Sequence, residues 1–228
     1  MKKMKLLLIG IFSILMGIQG VTGQDWADLG RFKEANSLVE PPKSDENRVV
    51  FMGNSITIGW LNSRPAFFKG KPYINRGISG QTTPQMLLRF RQDVIELQPK
   101  VVVILAGTND IAGNTGPSTL EMILGNIKGM AELAAANNIK VVLSSTLPAY
   151  DYPWSPGLKP NEKIPALNEM IKAYAEANNY IYLDYFSAMA DDRNGLPKKY
   201  ANDEVHPTVE GYKVMEPMLE AAIESALK

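Results

Sequence analysis

Short runs of β-branched and aliphatic residues punctuate the chain at Arg48–Met52 (RVVFM), Lys100–Ala106 (KVVVILA), Lys140–Ser145 (KVVLSS) and Tyr180–Tyr185 (YIYLDY), with a weaker one at Pro72–Asn75. A strand with one wet face alternates apolar and polar residues. The second and third runs are apolar at consecutive positions instead, the pattern of parallel strands covered on both faces. Between the runs lie longer amphipathic segments. Pro84–Leu97 places Leu87, Phe90, Val94 and Leu97 on one helical face, and Leu120–Ala136 does the same with Ile123, Ile127, Met130 and Leu133. Ile164–Ala177 and Val209–Leu227 complete the set. Ser118 with Glu121 reads as a capping box for the helix that starts at Leu120, and Thr208 as the N-cap of the last helix. Strand and helix in alternation predict an α/β fold, a single three-layer domain whose parallel sheet of about five strands is linked by right-handed crossovers. Ligands in such sheets bind beyond the C-terminal strand ends, so chemistry is sought in the loops that leave them.

The segments outside this alternation divide the chain. Residues 1–23 begin with Lys2, Lys3 and Lys5, continue through the apolar stretch Leu6–Ile18 and end on Val21-Thr22-Gly23, the layout of a secretory signal cleaved before Gln24. The competing reading is an uncleaved anchor, but a spanning helix wants ~20 apolar residues. Export to the periplasm or the medium is therefore expected, with no stable membrane insertion of the mature chain. Residues 24–47 form a prefix in which Trp26, Leu29, Phe32 and Leu38 recur near helical spacing before Pro41-Pro42, with Trp26 expected to staple it onto the domain of residues 48–228. Pro148–Pro160 (PAYDYPWSPGLKP) is too rich in proline for regular structure.

Composition removes several function classes. Lysine and arginine number 24 against 24 aspartates and glutamates, and three of the lysines lie in the leader, so the remainder has a slight acidic excess. Without a basic surplus or a Lys/Arg run, nucleic acid is not an expected partner. There is no cysteine, which excludes disulfides, thiolate metal sites and a cysteine nucleophile, and the single histidine, His206, excludes a multi-histidine metal site. No P-loop or G-x-G-x-x-G follows a strand, so neither a metal nor an organic cofactor is expected.

Three strand ends carry polar groups. Gly53-Asn54-Ser55-Ile56-Thr57 puts Ser55 on a sharp turn, where a serine either caps the next helix or serves as a nucleophile; the α/β-hydrolase elbow would need glycine at Thr57. Gly107-Thr108-Asn109-Asp110 is either a plain turn or a place where the Asn109 amide projects beside Ser55 as a donor. Between them, Ile78-Ser79-Gly80-Gln81-Thr82 has a glycine that lets a backbone N–H approach a ligand closely. Asp203-Glu204-Val205-His206-Pro207 precedes the last helix, and in a compact loop the Asp203 carboxylate reaches one imidazole nitrogen while the other faces outward. Serine, aspartate and histidine thus converge on one end of the sheet.

These blocks, GNSIT, NRGISGQTT, GTND and DEVHPT in that order, resemble the SGNH subgroup of the GDSL esterase/lipase family, from about Arg48 to the C-terminus. The resemblance implies a flavodoxin-like parallel sheet, Ser55 as nucleophile, Asp203 and His206 as the rest of a triad, and an oxyanion hole built from the Ser55 and Gly80 backbone N–H groups and the Asn109 amide. Asn54 departs from the aspartate of the family name but keeps an acceptor oxygen. The implied function is that of a secreted serine esterase acting on small-molecule or saccharide esters, short-chain or O-acetyl esters on carbohydrates first. A lysophospholipase or thioesterase is the alternative within the family, and a non-catalytic ligand-binding relative the alternative outside it. Tyr150, Tyr152 and Trp154 are expected either to form an aromatic wall suited to a sugar or acyl group, or to pack their own loop down.

Overall fold

The computed structural model describes residues 24–228; the expected signal segment lies outside them. In chain order the elements are α1 (Lys33–Ser37), β1 (Val49–Gly53), α2 (Ser55–Ser63), α3 (Pro65–Phe68), β2 (Tyr73–Gly77), α4 (Thr83–Asp93), β3 (Val101–Leu105), α5 (Thr108–Ile111), α6 (Leu120–Ala136), β4 (Lys140–Ser144), α7 (Pro160–Ala177), β5 (Ile181–Leu183), α8 (Tyr185–Met189) and α9 (Val209–Leu227). The strands form one five-stranded sheet in the order β2-β1-β3-β4-β5, every neighbouring pair parallel. This is the α/β architecture expected from the sequence.

The central strands show why their runs are apolar throughout. Val50 and Met52, Val102 and Ile104, and Val141 and Leu143 point to one face, where they meet Met86 and Phe90 of α4, Ile123 and Ile127 of α6, and Leu167 and Ile171 of α7. Val49 and Phe51, Val101 and Val103, and Val142 point to the other, against Ile56 and Trp60 of α2 and Tyr212, Met215 and Leu219 of α9. Successive strand residues thus feed two cores. Burying one such side chain stabilises the fold by roughly 1.5–3 kcal/mol. None of the described helices is long and apolar enough to cross a membrane.

Several local expectations are corrected. The helix expected over Pro84–Leu97 ends at Asp93; Val94 leaves helical geometry (φ −130°, ψ −65°) and a 3₁₀ turn follows at Ile95–Leu97. The strand expected over Tyr180–Tyr185 stops at Leu183, because the Asp184 carboxylate accepts from Ser187 N at 3.0 Å and starts α8. Thr119, not Ser118, caps α6, its hydroxyl accepting from Met122 N. Thr208 caps α9 as expected, accepting from Gly211 N. The prefix is helical only over Lys33–Ser37, and Trp26 is 44% exposed rather than a staple. Main-chain carbonyls hold the segment instead: Ala27 O accepts from Gln81 Nε2 (2.7 Å) and Leu29 O from Gln92 Nε2 (2.7 Å), while Asn36 Nδ2 donates to Asp93 Oδ1 (2.7 Å).

Candidate active site

β1 ends at Gly53 and α2 begins at Ser55, so the chain turns within Asn54. Glycine is required at 53: a Cβ there would lie 2.0 Å from Thr57 Oγ1 and 2.9 Å from Leu105 O. Asn54 is buried and caps α2, its Oδ1 accepting from Ile56 N at 3.0 Å. An aspartate would offer the same acceptor, so asparagine keeps the turn while placing no formal charge beside Ser55.

Ser55 Oγ lies 2.9 Å from His206 Nε2, and His206 Nδ1 lies 2.6 Å from Asp203 Oδ2. Ser55, 151 residues from His206 in sequence, thus joins the neighbouring Asp203–His206 pair in one hydrogen-bonded line. The other Asp203 oxygen closes the loop before α9 by accepting from His206 N (2.7 Å) and Val205 N (3.1 Å). Partial burial pushes the Asp203 carboxyl up, but the hydrogen bonds from the His206 N–H, the His206 ring and the Val205 N–H outweigh it and hold the group below the usual carboxylate range. It therefore stays ionised at neutral pH.

The loop between β2 and α4 is tied to the strand end ahead of Ser55, Ile78 N donating to Gly53 O at 3.1 Å. Gly80 sits at φ +76°, a conformation that favours glycine. The backbone N–H groups of Gly80 and Ser55 have no hydrogen-bond partner among the described residues. Asn109, in α5 just past β3, was expected to project its amide beside Ser55. The structure gives one of its N–H groups to Gln81 O at 2.9 Å and shows no bond between Asn109 and Ser55. The buried Asn109 side chain thus ties the Gly80 loop to the end of β3, and the amide's second N–H has no protein partner among the described residues.

Buried charged side chains that the sequence does not single out hold this loop. Gln81 Oε1 accepts from Arg89 Nε at 2.6 Å. Arg89 Nη2 donates to Gly53 O at 3.1 Å, and its Nη1 pairs with Asp93 at 3.0 Å, both side chains being fully buried. One guanidinium therefore joins the carbonyl ahead of the Ser55 turn to the loop that carries Gly80. The available signal was Arg89 and Asp93 at i, i+4 among the apolar positions of α4, since charges on a core face are buried only when paired. Asp110, next to Asn109, accepts from Thr83 N through both oxygens (3.0 and 3.1 Å) and from Thr83 Oγ1. Burial pushes its carboxyl up to about 6, against the downward pull of those bonds.

Of the three loop aromatics, Trp154 reaches the site: its ring lies 6.0 Å from that of His206 and is 46% exposed. Tyr152 lies stacked against it at 5.1 Å, fully buried, with its hydroxyl 2.9 Å from Thr108 Oγ1. Of the two roles expected for these aromatics, Tyr152 takes loop packing: it has no surface left for a ligand and supports Trp154. Tyr150 is partly exposed and carries the Arg193 guanidinium 4.7 Å over its ring. An open groove of about 320 Å³, lined by Asp151, Pro153, Asp203 and Glu204 among others, adjoins Asp203.

Residues 51–214 match the profile of the GDSL-like lipase/acylhydrolase family, most of the described domain. The chain belongs to that family. A GDSL-like lipase from Bacteroides thetaiotaomicron shares 50% identity with this GDSL-like chain at a TM-score of 0.86, over 88% of this chain and 98% of its own. A Bacteroides fragilis protein, also 50% identical, matches with a TM-score of 0.88 over 90% of this chain and 100% of its own. The acetylxylan esterase of Xylanibacter ruminicola is 28% identical over 233 residues, which is 86% of this chain and 46% of that protein. The chain spans about half the length of the curated relatives it matches.

Proposed function

We propose that this GDSL-like chain is a serine esterase that removes short acyl groups, O-acetyl groups on carbohydrates above all, with Ser55, His206 and Asp203 as its triad. The observation that carries the reading is the Ser55 Oγ–His206 Nε2–Asp203 Oδ2 line, together with the backbone N–H groups of Ser55 and Gly80 that have no protein partner among the described residues. An ionised Asp203 keeps the imidazole proton on Nδ1, so the Nε2 lone pair faces the Ser55 hydroxyl. As Oγ attacks the ester carbon, its proton passes to Nε2 and the former carbonyl oxygen becomes an oxyanion. The N–H groups of Ser55 and Gly80 and the second N–H of the Asn109 amide stabilise that charge. The tetrahedral adduct collapses, the bond to the alcohol oxygen breaks, and Nε2–H protonates the departing alcohol. Water, deprotonated by Nε2, then attacks the acyl-serine and releases the acid with Ser55 Oγ reprotonated.

The carbohydrate preference is supported by the acetylxylan esterase relative and by the partly exposed Trp154 indole 6.0 Å from the His206 ring. The leader of residues 1–23 fits export of the domain to where polysaccharide is met. Two measurements test the reading. A fluorophosphonate should label wild type but not Ser55→Ala, and Ser55→Ala should lose roughly four or more orders of magnitude in kcat with an unchanged melt. Acetylated xylo-oligosaccharides should be hydrolysed with a higher kcat/KM than nitrophenyl esters of increasing chain length. A rise with chain length would move the substrate to lysophospholipids or thioesters, and failure of wild type to label would make the chain a ligand-binding relative.

A further inference from the structure

The turn Gly113-Asn114-Thr115-Gly116 follows α5 and belongs to none of the four sequence blocks. Its contacts nevertheless converge on the site. Asn114 N donates to Asn109 O at 3.0 Å, and Thr115 Oγ1 lies 2.9 Å from Thr82 Oγ1. The exposed Asn114 side chain does more: its Nδ2 donates to Gly80 O at 3.1 Å, and its Oδ1 accepts from Trp154 Nε1 at 3.3 Å. An indole N–H only donates and a carbonyl only accepts, so the two partners together fix which way this amide faces. One surface side chain thereby connects the loop bearing the Gly80 N–H to the indole beside His206. Tyr152 backs that indole by stacking, and Trp154 remains 46% exposed.

We propose that Asn114 is a positioning residue that couples the Trp154 platform to the oxyanion loop, so that a saccharide ring seated on the indole raises turnover as well as affinity. The inference rests on the reading of Ser55 and Gly80 given above. A pyranose ring stacked on Trp154 restrains the Pro148–Pro160 loop, Asn114 transmits that restraint to the Gly80 carbonyl, and the neighbouring N–H is held toward the developing oxyanion. Binding of the alcohol part, remote from the scissile bond, is thus expressed in the transition state.

The test uses methyl acetate, whose one-carbon alcohol has no ring to stack on Trp154, followed in a pH-stat alongside acetylated xylo-oligosaccharides. Trp154→Phe keeps an aromatic face on Tyr152 and removes the N–H. Asn114→Asp keeps an acceptor for the indole but sets a carboxylate oxygen against the Gly80 carbonyl. On the oligosaccharides, kcat should fall about fivefold in Trp154→Phe, the worth of one ordinary hydrogen bond, while on methyl acetate, which cannot load the platform, it should stay near that of wild type. In Asn114→Asp, kcat on the oligosaccharides should fall roughly tenfold, part of the loss expected from removing an oxyanion donor outright, and the double variant should fall no further. An oligosaccharide kcat unmoved in both variants, an equal fall on methyl acetate in Trp154→Phe, or two losses that multiply would overturn the coupling while leaving the esterase reading standing. A wild-type chain inert toward both substrates overturns the esterase reading and the coupling with it.

Discussion

The two Asp203 oxygens have separate tasks, and replacement by asparagine separates them. Oδ1 accepts from the backbone N–H groups of His206 and Val205, and Oδ2 faces His206 Nδ1 at 2.6 Å. In Asp203→Asn the amide oxygen keeps both backbone bonds, so the loop retains its shape and the stability loss should stay within about 1 kcal/mol. The amide NH2 now faces Nδ1, and two donors cannot meet. The imidazole proton moves to Nε2, which then donates toward Ser55 Oγ instead of accepting its proton, and the general base is lost. The same swap in a serine protease costs about 10⁴ in kcat, or about 5.5 kcal/mol of barrier. Asp203→Ala removes the backbone bonds as well and should cost a further ~2 kcal/mol of folding stability, two hydrogen bonds at about 1 kcal/mol each. Steady-state kcat on nitrophenyl acetate and urea unfolding of the three proteins check this together. A kcat loss under tenfold in Asp203→Asn, or equal destabilisation by Asn and Ala, would refute the division of labour.

Asn109→Ala should lower kcat by roughly 10²–10³, more than it raises KM. Because the buried amide also holds Gln81 O, the variant should lose about 1 kcal/mol in urea unfolding, and a normal kcat with that loss would make Asn109 structural only. Arg89→Met removes the ion-pair partner of the buried Asp93 carboxylate, leaving it the Asn36 hydrogen bond and the charge of Arg76, and should destabilise by about 3–5 kcal/mol; a change under about 1 kcal/mol would contradict the buried pair. Asp110 gives a pH signature. Its carboxyl, raised from 3.8 to about 6, takes up its proton at higher pH in the folded chain than in the unfolded one. The stability so gained is full below the unfolded value and is lost as pH rises through about 6. Asp110→Asn removes that dependence. Relative to wild type it should therefore gain about 3 kcal/mol in urea unfolding between acid and neutral pH, and a flat difference across that range would count against it.

What the sequence determines here is what local chemistry can specify. Apolar runs at Lys100–Ala106 and Lys140–Ser145 demanded a doubly covered parallel sheet, because no other environment removes both faces of a strand from water. The sheet then sends Gly53-Asn54-Ser55 and Gly107-Thr108-Asn109 to one edge, since parallel strands end on the same side. Asn54 was legible as an acceptor, and the Asp203 and His206 spacing as a turn that brings carboxylate to imidazole. Tertiary structure decided the rest. Trp26 had the spacing of a docking residue, yet the Ala27 and Leu29 carbonyls and the Asn36 amide make the hydrogen bonds that hold the prefix, and their partners Gln81, Gln92 and Asp93 come into place only once α4 and the loop before it have packed. Tyr152 and Trp154 look alike in sequence, and the approach of Thr108 decides that one is buried and the other faces the site. Arg89 spans Gln81, Asp93 and the distant Gly53 carbonyl, a set of partners that no periodicity encodes. Periodicity records which face of an element leaves water; which remote polar atoms then meet depends on the packing of several elements at once, and that packing is where Gln81, Arg89 and Asn109 acquire their contacts.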